Sequence, residues 1–123
     1  MKIIRFEELK CWQEAKVLVR LVYQAIQKSV KLKSDFGLRD QLARAAVSVM
    51  SNIAEGFSRQ TNKEFVQFLY ISKSSASEIQ SLLYVAHDLG YIEKQIFQEI
   101  YDVADKVSQL NSGFIKYLSS QHK

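Results

Sequence analysis

The chain has 123 residues with no proline, four glycines and one cysteine, and its 17 Lys and Arg outweigh 13 Asp and Glu to leave a net charge of +4. That length suits one domain around one core, read as residues 1–123, and is too short for two. A proline-free chain rich in Leu, Ala, Lys, Gln and Glu argues for helices and against a sandwich of short strands, whose turns recruit Pro and Gly. Cys11 alone permits neither an intrachain disulfide nor a multi-cysteine zinc site, and no segment has the apolar run of a signal peptide or of a membrane span of roughly 20 residues, so the expected setting is the cytoplasm with no membrane partner.

Three breaks, at Lys31 to Asp35, Gly56 to Asn62 and Gly90 to Glu93, divide the chain into segments expected to be helices at about 7–30, 36–57, 62–89 and 93–119. Long helices of similar length with short links pack as antiparallel neighbours, so the expected fold is all-α: an up-and-down antiparallel four-helix bundle. The first segment carries Trp12, Ala15, Leu18, Val19, Val22 and Ile26 on one side. Its opposite side carries Lys10, Gln13, Lys16, Arg20, Gln24, Gln27, Lys28 and Lys31, with no carboxylate, and Val17 and Leu21 lie just outside the apolar arc.

The second segment has Ser34 or Asp35 to cap it and an apolar seam of Leu38, Leu42, Ala45, Ala46, Val49, Ile53 and Phe57. Small residues (Ala43, Ser48, Ser51, Ala54) would let a neighbouring backbone come close, and Arg44, Ser48, Ser51 and Glu55 form a polar row with Asn52 beside it. The third segment opens on Thr61 with Glu64 three residues later, a capping box, and ends at Gly90, suited to a left-handed terminator. In the fourth, Ile96, Ile100, Val103, Val107, Leu110, Phe114 and Tyr117 alternate by four and three, which reads as a bundle seam.

Catalytic constellations are sparse. No Glu-x-x-His or H-E-x-x-H motif occurs, and His87 and His122 are too few for a histidine-rich metal site. The glycines at 37, 56, 90 and 113 are too scattered for a phosphate-binding loop. Cys11 has no adjacent base and reads as a packed thiol. A Glu55 and Glu78 acid and base pair competes with a simpler account, a structural network around Arg44 and Asn52. The expectation is a protein without enzymatic activity, metal or cofactor.

Charge points elsewhere. Residues 1–60 hold eleven basic and six acidic side chains, and residues 61–123 hold six and seven, so an anion would meet the first half. Lys10, Lys16, Arg20, Lys28 and Lys31 could track a phosphate backbone, extended near the loops by Lys33, Arg39, Arg59 and Lys63. The same residues also suit a plainly solvated face.

Two stretches carry a resemblance. Phe6-Glu7-Glu8-Leu9-Lys10-Cys11-Trp12-Gln13-Glu14-Ala15 is similar to an opening F-E-x-L-x-x-W-Q-x-A, and residues Leu42 to Gly56 resemble L-x-R-A-A-x-S-[IV]-x-S-N-I-A-E-G, followed by Arg59 and by Lys63-Glu64-Phe65. These motifs mark the small bacterial four-helix-bundle proteins encoded in intervening sequences of 23S ribosomal RNA genes, a family that includes the accessory variability determinant of diversity-generating retroelements. The resemblance implies a homopentameric barrel with a positive surface, binding to structured RNA or to DNA and, in the retroelement branch, a reverse-transcriptase partner. It makes Arg44, Ser51, Asn52, Glu55 and Gly56 signature residues with a structural role. Met50 stands where the family usually has proline. The expected function is nucleic-acid binding, RNA first, by an oligomer; the alternative is a protein-interaction scaffold or accessory subunit.

Overall fold

The computed structural model describes residues 3–121, so His122 lies outside the described residues. A 3-10 turn at Phe6–Glu8 is followed by α1 (Lys10–Lys28), α2 (Val30–Ser34), α3 (Phe36–Phe57), α4 (Asn62–Asp88) and α5 (Lys94–Ser119), with no strand among the described residues. The four long helices close into a bundle in which α1 packs on α3 and α5, and α4 packs on the same two. Helices α1 and α4 therefore occupy opposite corners.

The first expected helix, 7–30, is corrected at both ends. Leu9 is extended (φ −73°, ψ 128°) and separates the 3-10 turn from α1. At the other end Ser29 leaves helical geometry, and its hydroxyl accepts from the amide of Leu32 at 3.1 Å, so the chain restarts as α2. The stretch expected as a loop is thus a helical turn that drives Leu32 into the base of the core, where it is 1% exposed. Asp35 then caps α3 by accepting from the amide of Leu38, and its other oxygen accepts from the hydroxyl of Tyr91 at 3.0 Å. That second bond ties the α2–α3 corner to the α4–α5 link and raises the tyrosine pKa.

The remaining ends follow local chemistry. Thr61 accepts from the amide of Glu64 and donates to its carboxylate, and Gly90 closes α4 with φ +74°, a conformation that side chains resist. Met50, at the usual proline position, lies within an unbroken α3.

The core runs through Leu18, Val22, Leu42, Val49, Ile53, Leu69, Ile79, Leu83, Ile100 and Val107. The seam expected on α5 is only partly the buried one. The buried ridge is Ile100, Ala104, Val107, Asn111, Ile115 and Leu118, while Tyr117 is exposed. A helix wedged between two neighbours buries a stripe wider than one four-three seam, and the neighbouring ridge wins the centre. Leu89, the C-cap residue of α4, is exposed.

Two features draw α3 and α4 together. Ser72 donates to the carbonyl of Val49 at 2.7 Å, the hydroxyls of Ser48 and Ser75 meet at 2.8 Å, and Asn111 of α5 donates to Ser72 at 2.9 Å. At the other contact, a Cβ on Gly56 would lie 2.7 Å from a ring carbon of Phe65 and 2.8 Å from the Cβ of Phe68. Both are too short, and a Cβ anchored to a helix cannot swing aside. Gly56→Ala should therefore destabilise the bundle by about 2 kcal/mol despite alanine's better helix propensity. Thermal unfolding by circular dichroism measures this, and an unchanged or raised melting temperature would show that the contact relaxes freely.

Candidate nucleic-acid interface

Because α1 turns its apolar stripe toward α3 and α5, its outer face is left to solvent. Lys10, Lys16, Arg20 and Lys28 are all exposed, and on α2 Lys31 and Lys33 are exposed as well. From Lys10 to Lys28 the row spans roughly 27 Å at the helical rise. None of these six forms an ion pair among the described residues, where the pairs are Arg5–Glu7, Arg39–Asp40, Arg59–Glu55 and Lys106–Glu14. Glu14, the carboxylate of α1, is turned away from the row and held by Lys106 of α5 at 3.4 Å. Lys16 sits 5.9 Å from the ring centre of Trp12, whose indole is in turn edge-packed on Phe6, so one cation is steadied against an aromatic face.

The other expected basic residues are placed differently. Arg39 is half-buried: it pairs with Asp40, donates to the carbonyl of Lys33 at 3.1 Å and lies 4.6 Å from the ring centre of Phe36. It braces the α2–α3 corner beside the row. Arg59 pairs with Glu55 one turn back at 3.0 Å and covers Phe68, and Lys63 is exposed on α4. Since α4 is diagonal to α1, Lys63 belongs to another side of the bundle.

The signature residues divide. Gly56 is buried at the tight α3–α4 contact. Asn52 donates to the carbonyl and hydroxyl of Ser48, both at 2.9 Å, and so reaches Ser75 through Ser48. Arg44, Ser51 and Glu55 are exposed instead. The network expected to join Arg44, Asn52 and Glu55 does not form, because Glu55 turns to Arg59 and Arg44 turns to solvent. Arg44, Ser51 and Val47 line an open groove between α3 and α1, closed on the far side by Tyr23.

The candidate catalytic groups are dispersed. Glu55 and Glu78 both lie in solvent. Burial pushes the Cys11 thiol up to about 11, away from the reactive thiolate. His87 is exposed at the end of α4 and packs on Phe97 with ring centres 5.6 Å apart. Among the described residues no three His, Cys, Asp or Glu side chains gather as metal ligands.

Tyr70 and Lys73 were not singled out from sequence. Lys63, Gln67 and Tyr70 recur on α4 at four and three residues, a spacing that marks one face, and the tyrosine is 53% exposed. Apolar counting passes over such a residue, since half-exposed tyrosines blend into an amphipathic boundary.

Known proteins share the fold. The profile of the family described as 23S rRNA-intervening sequence protein matches residues 7–113. Among curated proteins, none matches. A crystal structure at 1.70 Å, described as a protein with unknown function from the S23 ribosomal protein family from Bacteroides thetaiotaomicron VPI-5482, superposes with a TM-score of 0.80 at 20% identity, over 86% of this chain and 98% of that one. At that identity the likeness speaks for the fold. With the Leu42 to Gly56 motif, all of the opening motif but Phe6, and most of the bundle inside the matched span, the chain belongs to the 23S rRNA-intervening sequence protein family.

Proposed function

We propose that this chain is a non-enzymatic RNA-binding protein of the cytoplasm that acts as a homo-oligomer, a ring of five by resemblance to its family. The observation that carries the reading is the outer face of α1, where Lys10, Lys16, Arg20 and Lys28 stand exposed, without an ion pair among the described residues and without a carboxylate between them. Phosphates attract such a row through counterion release, and the exposed Gln24 and Gln27 offer further donors. DNA would meet the same charges; structured RNA is favoured because the family's genes lie within a ribosomal RNA gene. The absence of enzymatic activity is supported by the scattering of Glu55 and Glu78 and by the suppressed Cys11 thiolate.

A second reading, an accessory subunit for a protein partner such as a reverse transcriptase, draws on exposed apolar side chains. Val47 and Tyr23 border the α1–α3 groove, and Ile71 and Val85 stand out on α4. The same surfaces would serve contacts between copies.

Filter binding of structured RNA across a salt series tests the leading reading. A Lys16→Glu, Arg20→Glu, Lys31→Glu variant should bind more weakly at low salt, with a log–log salt slope shallower by about 2 to 3. Equal affinities would remove α1 as the interface. Light scattering checks assembly separately: a mass near five times 14.2 kDa is expected, and a clean monomer would refute the ring.

A further inference from the structure

The diagonal corner of the bundle holds a different kind of surface. Between the first turns of α4 and the last turn of α5 runs a groove lined by Asn62, Lys63, Gln67, Tyr70, Leu118 and Gln121. Among the described residues no carboxylate lines it. Tyr70 is 53% exposed, and the ammonium of Lys73 lies 5.9 Å from its ring centre. A half-exposed aromatic ring with Lys63 and three side-chain amides in the same groove, and the Lys73 ammonium over that ring, combines the features that hold an unpaired base: a π surface for stacking, amides for its polar edge and positive charge for the attached phosphate. A duplex offers no free base face to such a platform, because its bases are already stacked on one another.

We infer that this groove takes an unpaired nucleotide of single-stranded RNA, its base stacked on Tyr70 and its phosphates held by Lys63 and Lys73. The inference rests on the RNA-binding reading and adds to it a second contact on the side of the bundle opposite α1. One subunit then grips a paired segment by charge along α1 and a looped-out base at α4.

The test uses the full chain with fluorescein-labelled oligouridylate and with labelled duplex RNA of the same length, read by anisotropy. Tyr70→Ala should lose about tenfold affinity for the single strand and stay within about twofold for the duplex, while Tyr70→Trp keeps both. Because Tyr70 is half-exposed, the helical circular dichroism signal and melting temperature of these variants should match wild type. Unchanged single-strand binding by Tyr70→Ala, or an equal loss on both probes, overturns the stacking site and leaves the α1 reading standing. A changed subunit number with unchanged affinity makes the groove a contact between copies and overturns the inference as well. Wild-type protein that binds neither probe overturns the RNA reading itself.

Discussion

The close approach of α3 to α4 sets the geometry of everything else. Gly56 leaves no room for a methyl group between it and Phe65, and further along the same contact Ser48 meets Ser75 and Ser72 reaches the carbonyl of Val49. Hydroxyls can lie at a helix interface only if each finds a partner, and here they find one another or a backbone oxygen. Small residues shorten the distance between axes, and the bonds then fix the register that the small residues alone would leave free to slide. Asn111 extends this layer into α5 at 2.9 Å, so three of the four long helices are registered by one chain of polar contacts.

Helix α1 lies outside that chain. Among the described residues it joins the bundle through apolar burial at its centre, with Ala15, Leu18 and Val22 essentially without exposure, and through the ion pair from Glu14 to Lys106. Hydrophobic burial is indifferent to what sits on the other side of a helix. The outer face is therefore free to carry like charges without disturbing the interior, and it does: the cations of α1 and α2 have no countercharge within ion-pair distance among the described residues. Of the family-signature residues on α3, Gly56 and Asn52 organise the packing, while Arg44, Ser51 and Glu55 are exposed. The cations proposed to bind are on a different helix and have no packing duty.

The long helices are legible because burial follows periodicity in them, save on α5, where the buried ridge lies beside the four-three seam. Asp35, Thr61 and Gly90 end or begin helices as their side chains dictate. The break at Ser29 was not legible, since Gln27, Lys28, Val30 and Lys31 all suit a helix and only the demand of Leu32 for the core end turns the chain there. Polar core residues were missed for a related reason: Ser72 and Asn111 look like surface residues by composition, and their burial depends on partners 23 and 39 positions away. On the site, the exposure of the α1 row was readable from the helical repeat. That Lys63 stands at the opposite corner from it depends on the cyclic order of the helices, which no local pattern encodes.

That order has a consequence for how the proposed activity must work. A lone row of unpaired lysines and arginines binds phosphates without regard to sequence, at roughly 0.1 mM to 1 µM under physiological salt, too weak for a single contact to hold a specific RNA. Tighter binding needs more contacts on the same ligand. Within one subunit the α1 row and the α4 groove face away from each other, so an RNA touching both must wrap around the bundle or present separate segments. Repetition of the row around the proposed ring would bring like faces to one assembly and raise the effective concentration of each further contact, with no new chemistry in any subunit. The modest charge of +4 per chain fits this arrangement, because a single copy would attract phosphates weakly while the proposed ring would present a field several times stronger.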